Sequence, residues 1–272
     1  MERSLLATGL VDTVRVAEDV WSVRMLIVNV CFVGNAKQGD WVLVDTGIGP
    51  LTGALSEEAE SVFHRPPACI VLTHGHFDHV GGVKELAQKW NVPVYAHPAE
   101  LPYLTGGKDY PEGDPTVGGG LMAGVAPLYP NRAIDLGERV HPLPDDGQVP
   151  GMPEWKWIHT PGHSPGHIAL FREQDRFLIA GDAFITVKQE SALAVAAQTV
   201  EVHGPPMYFT PDWPAAGRSV ERLAALSPES AVTGHGQPLG GEALRAGLRR
   251  LAEHFEELAV PEQGRYAAEG MR

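Results

Sequence analysis

A chain of 272 residues, 43% of them hydrophobic and 20% charged, has the composition of a globular protein and enough length for a substantial core. Its formal net charge of -13 argues against a nonspecific nucleic-acid surface, which needs basic stripes. No apolar run approaches the roughly 20 residues of a membrane-spanning helix, and the first residues lack the apolar segment of a signal peptide, so we expect a cytoplasmic protein without a membrane partner.

The first half of the chain predicts one sheet with flanking helices. Apolar or alternating segments predict strands at 11–34 (two or three antiparallel strands), 41–44, 69–72 and 92–95. Helices are expected at 51–63 and 83–90. Because Pro93 cannot donate to a ladder, the strand at 92–95 is expected to be short or to lie at an edge.

Residues 101–129 differ from their surroundings because they are rich in glycine and proline. A segment of this length without regular structure is typical of a functional or a disordered connection. Three tyrosines, Tyr103, Tyr110 and Tyr129, are compatible with a lid or with an interface between copies of the chain. The sequence leaves a lid, a linker and an interface open, and it leaves open whether the protein is a homo-oligomer.

The second half repeats the arrangement. Strands are predicted at 155–159, 168–171, 177–180 and 230–233, and helices at 213–226, capped by Asp212, and at 241–258. We therefore expect a single domain with pseudo-symmetric halves, about 1–125 and 126–272. Cys31 and Cys69 lie inside apolar runs, which favours buried free thiols over a disulfide.

The segment at 68–82, ACIVLTHGHFDHVGG, concentrates side chains that bind metal ions. If the loop after the strand stays extended, His74 and His76 point the same way, because side chains alternate along an extended chain. Asp78 and His79 follow after the turn and can face a second point nearby. A solvated histidine-rich surface loop is the alternative interpretation of this segment alone.

Three later strand ends carry further ligand-type residues, each preceded by a glycine: His163, Asp182 and His235. We assign His74, His76 and His163 to one ion and Asp78, His79 and His235 to a second, with Asp182 bridging them. Five imidazoles and two carboxylates suit Zn²⁺ and also admit Mn²⁺, Fe or Co²⁺. The remaining histidines are interpreted as structural or surface residues: His64, His97, His141, His159, His167, His203 and His254. Among them, His203 is the best candidate for a functional role.

The order HxHxDH, His163, Asp182, His235 resembles the metallo-β-lactamase superfamily, in particular its glyoxalase II-like and uncharacterised bacterial hydrolases. The resemblance implies an α/β fold, a four-layer αβ/βα sandwich with two mixed β-sheets flanked by helices and a dinuclear site at one edge. It also implies that Asp45 supports the site.

The implied reaction is hydrolysis of an ester-like bond in a small molecule: a thioester, lactone, amide or phosphoester. A hydroxide that bridges two ions, most simply Zn with Fe or Mn as alternatives, attacks the carbonyl or phosphoryl centre. Asp78 is then both a ligand and the candidate proton shuttle, and therefore the predicted catalytic residue.

Related lactonases carry a tyrosine three residues after the bridging aspartate, where this chain has Ile185, and this difference weakens the case for a lactone substrate.

Two functions other than hydrolysis stay open. Mononuclear iron persulfide dioxygenases share the fold and bind iron through the equivalents of His74, His163 and Asp182, and a ligand-binding relative would bind metal without turnover. Candidate substrate contacts, with structural packing as their alternative role, are Lys188, Glu190, His203 and Tyr208.

Overall fold

The computed structural model describes residues 10–267. The chain divides into two compact units. Among the described residues, the first unit comprises 10–108 together with Ala133–Lys156, and the second comprises Asp109–Arg132 together with 157–267. Within residues 10–267, no helix combines the length and the apolar character needed to cross a membrane.

The first sheet has seven strands in the order of the chain: β1 (Val11–Ala17), β2 (Val20–Met25), β3 (Val28–Asn35), β4 (Asp40–Val44), β5 (Ile70–Val71), β6 (Val94–Ala96) and β7 (Val140–Pro142). Strands β1 to β4 pair antiparallel, and β4 to β7 pair parallel. The sheet is therefore mixed, and the carboxyl ends of β4, β5 and β6 lie along one edge.

The second sheet has six strands: β8 (Gln148–Val149), β9 (Met152–His159), β10 (Ile168–Arg172), β11 (Phe177–Gly181), β12 (Ser230–Thr233) and β13 (Leu239–Gly240). Their spatial order is β13-β12-β11-β10-β9-β8. Strands β10 and β11 pair antiparallel, whereas β11 and β12 pair parallel. The predicted α/β fold with two mixed sheets flanked by helices is confirmed.

The helices are α1 (Thr52–Val62), α2 (Phe77–Val80), α3 (Val83–Trp90), α4 (Leu101–Leu104), α5 (Leu121–Gly124), α6 (Ala192–Ala197), α7 (Trp213–Ala225), α8 (Gly241–Glu253) and α9 (Phe255–Ala259). Short 3₁₀ turns occupy Gly49–Leu51, Pro98–Glu100, Ala126–Leu128, Gly137–Arg139 and Met207–Phe209. The predicted N-cap of α7 is confirmed, since the Asp212 carboxylate accepts a hydrogen bond from Ala215 N at 2.9 Å.

The core of the first unit is built around aromatic side chains. The rings of Trp41 and Phe63 stack with centroids 4.6 Å apart, and Trp21 meets Phe63 edge-on at 5.1 Å. Helix α3 adds Val83, Leu86 and Ala87, whose i, i+3, i+4 spacing places them on one face of the helix, and all three are fully buried. Burial of these rings fixes the helices against the sheet, and with them the strand ends that carry the histidines.

The core of the second unit lies where α7 and α8 cover the sheet. Trp213, Val220 and Leu223 are buried on α7, and Leu244 and Leu248 are buried on α8. Both sets follow the three-to-four residue spacing of an amphipathic helix, so the same stripe that identified the helices in the sequence forms the core.

Two details of the predicted elements need correction. A single helix at 241–258 is wrong, because His254 leaves the helical region (φ −127°, ψ 35°) and separates α8 from α9. The break lets Phe255 pack beside Trp213. The strand at 92–95 is short, as predicted, but it is β6, an interior strand between β5 and β7.

Both cysteines have the predicted state, because Cys31 and Cys69 are buried and free. Burial raises the pKa of the Cys69 thiol to about 12, and burial is also the main cause that raises the pKa of Cys31.

Candidate metal centre

The histidine-rich loop begins where β5 ends, at the edge formed by the parallel strands. His76 is extended (φ −67°, ψ 150°), and the chain then turns into α2, which carries Asp78 and His79. All of these side chains and that of His74 are buried. Ligand atoms lie within 4.8 Å of one another in the pairs His74–His76, His74–His79 and Asp78–His79. The first unit thus presents a buried cluster of three imidazoles and a carboxylate.

Asp45 follows β4 and holds His79. Its Oδ2 accepts a hydrogen bond from His79 Nδ1 at 2.8 Å. Because a carboxylate only accepts, the Nδ1 atom carries the proton and the lone pair of His79 lies on Nε2. Asp45 adopts φ +60°, in the left-handed region that few residues other than glycine occupy. Thr46 also fixes the backbone of His79: its N and its Oγ1 donate hydrogen bonds to His79 O at 2.7 and 2.9 Å, respectively.

Thr73 fixes the orientation of His74 by the same logic. Thr73 Oγ1 donates to Asp45 Oδ2 at 2.7 Å, so its oxygen accepts from His74 Nδ1 at 3.0 Å. The lone pair of a neutral His74 ring therefore also lies on Nε2. One buried carboxylate sets the tautomers of two candidate ligands, directly for His79 and through Thr73 for His74.

Glu100 supports the loop between the first two histidines. It is fully buried, and its Oε2 accepts a hydrogen bond from Gly75 N at 2.9 Å. This residue was not predicted from the sequence. A glutamate just after a strand has no distinctive pattern, and only the fold reveals that it lies beside the loop.

The second unit brings its own three candidate ligands together at strand ends. His163, Asp182 and His235 are all buried, and Asp182 Oδ2 lies 3.4 Å from His163 Nε2 and 3.2 Å from His235 Nε2. The glycine before His163 is required, since Gly162 has φ +134° and a Cβ there would lie 2.3 Å from Ala216 N. Asp182 thus contacts both imidazoles of its unit.

Thr210 sets the tautomer of His163. Its hydroxyl donates to Pro206 O at 2.8 Å, so its oxygen accepts from His163 Nδ1 at 3.0 Å. The lone pair of a neutral His163 then lies on Nε2, the atom that faces Asp182. Thr210 was not selected from the sequence, because an isolated threonine after a 3₁₀ turn carries no signal.

The four candidate substrate contacts lie in different environments. Lys188 is exposed. Glu190 is fully buried and accepts a hydrogen bond from Met207 N at 2.8 Å. His203 is buried and pairs through its backbone with Ile185. Tyr208 is buried against Tyr129, with ring centroids 5.9 Å apart. Their assignment as substrate contacts stays a prediction.

The segment 101–129, predicted as a lid, a linker or an interface, divides between the two units. Its second part, 109–129, packs in the second unit, where Val117, Ala123 and Ala126 form an apolar cluster with Tyr208. The lid, linker and interface roles stay predictions.

A model of the metallo-beta-lactamase superfamily matches residues 23–235 of this chain, a span that includes every predicted ligand. The chain belongs to the metallo-β-lactamase superfamily. It is 45% identical over 245 residues to a "probable metallo-hydrolase", YflN of Bacillus subtilis, and the match covers 89% of this chain and 93% of the relative.

Two solved structures are similar to the chain in fold. The protein TTHA1623, solved in a di-iron-bound form, is 27% identical with a TM-score of 0.52, covering 80% of this chain and 92% of its own. A metallo-β-lactamase from Erythrobacter litoralis is 19% identical with a TM-score of 0.60, covering 93% of this chain and 100% of its own. The second likeness shows the fold alone.

The donor atoms of this superfamily member suit a divalent metal ion. Its two buried His/Asp clusters offer imidazole nitrogens and carboxylate oxygens without a thiolate, a set that zinc, iron and manganese accept. Three of the imidazoles have Nδ1 bonded to a protein oxygen, which leaves Nε2 as the coordinating atom. The residues present therefore fit a metal.

Proposed function

We propose that this protein is a dinuclear metal-dependent hydrolase that cleaves an ester-like bond (thioester, lactone, amide or phosphoester) in a small molecule. The proposed centre binds two ions. The ligands are His74, His76, Asp78, His79, His163, Asp182 and His235.

The contact between His163 and Asp182 carries the proposal. His163 Nδ1 donates a hydrogen bond to Thr210 Oγ1, so in the neutral ring the lone pair lies on Nε2, which is 3.4 Å from Asp182 Oδ2. Two acceptors at this distance repel each other inside a buried site, where the local dielectric is low. A divalent cation coordinated by both atoms turns this repulsion into attraction. The geometry thus supports a cation at this position.

Bound divalent ions would supply Lewis acidity and lower the pKa of a coordinated water towards neutrality. The chain supplies position and proton transfer around them. Asp45 and Thr73 hold His79 and His74 in the coordinating tautomers. The carboxylate of Asp78, at the start of α2, is the group that we propose accepts a proton during hydrolysis.

Zinc is the first candidate metal, because five imidazoles and two carboxylates without thiolates suit it. Iron is the second candidate, supported by the di-iron form of TTHA1623. The name of the Bacillus subtilis relative supports hydrolysis and names no substrate. A cytoplasmic location and a small-molecule substrate remain part of the proposal.

The test is hydrolysis by metal-reconstituted protein of a panel of thioesters, lactones, β-lactams and phosphodiesters. Asp182→Ala should abolish activity, whereas Asp145→Ala, which changes an exposed aspartate outside the candidate centre, should retain it. Hydrolysis of one type of bond that is lost in Asp182→Ala and retained in Asp145→Ala would support the proposal. Silence across the panel with two ions bound would contradict it, and one iron per chain without hydrolysis would favour a dioxygenase.

A further inference from the structure

We propose that His167 is a positioning residue for this metal centre: one imidazole holds the main chain of Asp182 and packs against the ring of His163. The inference deepens the proposed function and rests on it, because both supported residues belong to the proposed ligand set. His167 is fully buried and lies four residues after His163 in the same loop region. From the sequence, His167 was interpreted as a structural or surface histidine.

The hydrogen bonds of His167 define its tautomer. The backbone N of Asp182, which can only donate, lies 2.8 Å from His167 Nε2. The Nε2 atom must therefore accept, and the proton of the neutral ring lies on Nδ1, which donates to Thr160 Oγ1 at 2.8 Å. The Nε2 lone pair of His167 is thus directed at protein backbone, which separates it from the candidate ligand histidines.

Asp182 needs this acceptor because its peptide has left the sheet. The pairing of β11 with β12 shifts register between Ile179 and Gly181, and Gly181 adopts φ +52°. The next N–H, that of Asp182, consequently points out of the ladder towards His167. A buried N–H without an acceptor is unfavourable, so removal of the ring nitrogen favours rotation of this peptide and displacement of the carboxylate.

The same residue anchors the loop that carries His163. Thr160 N donates to His167 O at 2.8 Å, so residues 160 and 167 close the loop at its base. The rings of His163 and His167 lie 6.1 Å apart with an interplanar angle of 86°, an edge-to-face contact. His167 therefore contacts two candidate ligands of the second unit, Asp182 and His163.

A matched pair of substitutions separates positioning from packing. In His167→Gln the side-chain oxygen lies three bonds beyond Cβ, as Nε2 does, and can accept from Asp182 N. In His167→Met a methyl group occupies that place with similar length and no acceptor. The measurement is zinc affinity by competition with a chromogenic chelator, together with the unfolding free energy of the metal-free proteins.

We expect His167→Met to weaken binding of at least one zinc ion by about 10- to 100-fold, the range typical of groups that orient metal ligands. His167→Gln should stay within a few fold of the unsubstituted protein. Equal zinc affinity in the two variants would overturn the inference, whatever their stability without metal. If His167→Met does not fold, Thr160→Val and Thr160→Ser form the replacement pair, and only the valine should weaken binding.

The failure of this inference is distinguishable from failure of the proposed function. If the unsubstituted protein binds no zinc or iron, the metal centre itself is contradicted. If it binds two ions and His167→Met binds them with the same affinity, the metal centre stands and the positioning role of His167 is wrong.

Discussion

Three candidate ligands, His74, His79 and His163, share one arrangement at the scale of single residues. The Nδ1–H of each ring donates a hydrogen bond to a side-chain oxygen. The acceptors are Thr73 for His74, Asp45 for His79 and Thr210 for His163. Each oxygen is itself held by a further hydrogen bond or belongs to a buried carboxylate. The coordinating tautomer is therefore set by the fold before any ion binds, which reduces the reorganisation that metal binding requires.

Substitution of Asp45 tests this arrangement. In Asp45→Asn the shape is kept, but the amide can present a donor to His79 Nδ1, so the imidazole loses its carboxylate acceptor. We expect metal affinity or activity to fall by about 10- to 100-fold. The measurement is the metal content retained after dialysis against a graded series of chelator concentrations.

Asp40→Asn is the matched control, because Asp40 begins the same strand, β4, and its side chain is 80% exposed. Asp40→Asn should retain metal as the unsubstituted protein does. Unchanged metal retention in Asp45→Asn would show that Asp45 does not orient the ligands.

Residue types reveal the candidate ligands but not the groups that hold them. His74 to His79 and the later His163, Asp182 and His235 are recognisable because imidazoles and carboxylates at strand ends are an unusual combination. Glu100 and Thr210 are ordinary residues in ordinary loops. Each contacts its partner across a long sequence separation, 25 residues for Gly75–Glu100 and 47 for His163–Thr210, and only the folded chain supplies these pairings.

At the scale of elements, long amphipathic helices and apolar strands were predicted well because their pattern extends over several turns or residues. Helices α3 and α7 and strand β12 lie where the sequence indicated. Strands β8 and β13, with two residues each, were missed. Such short pairings depend on the neighbouring strand and leave no periodic pattern of their own.

Asp114 stabilises the segment 109–132, which packs within the second unit. Its carboxylate accepts hydrogen bonds from Thr116 N at 2.9 Å, from Thr116 Oγ1 at 2.6 Å and from Arg265 N. Burial by itself raises the pKa of Asp114, but the hydrogen bonds from Arg265 and Thr116 outweigh it and hold the pKa below its ordinary value of 3.8. The charged carboxylate therefore stabilises the folded state.

Because the folded-state pKa of Asp114 is lowered, its contribution is present above the unfolded pKa of about 4 and is lost as pH falls through the folded value. Asp114→Asn should lower the unfolding free energy by roughly 1–3 kcal/mol at pH 7, and the difference from the unsubstituted protein should shrink below about pH 4. Denaturant unfolding at a series of pH values measures this. Asp145→Asn serves as the exposed control, and a difference that grows as pH falls would refute the role of Asp114.

At the scale of the whole molecule, fold and superfamily follow from the sequence while the substrate does not. The superfamily match spans residues 23–235, and the ligand order alone predicted it. The candidate substrate contacts include the exposed Lys188 and the buried Tyr208, which share no sequence pattern that would indicate a substrate. The proposed reaction class rests on the candidate metal ligands, and the panel of hydrolysis substrates identifies the bond that is cleaved.

The most direct test of the dinuclear centre is the metal content of the purified protein, measured by inductively coupled plasma mass spectrometry against protein concentration. We predict two zinc or iron ions per chain in the unsubstituted protein and in Asp145→Ala, and a clear loss in Asp182→Ala. A protein without bound divalent metal after reconstitution, or Asp182→Ala with both ions retained at unchanged affinity, would contradict the dinuclear centre.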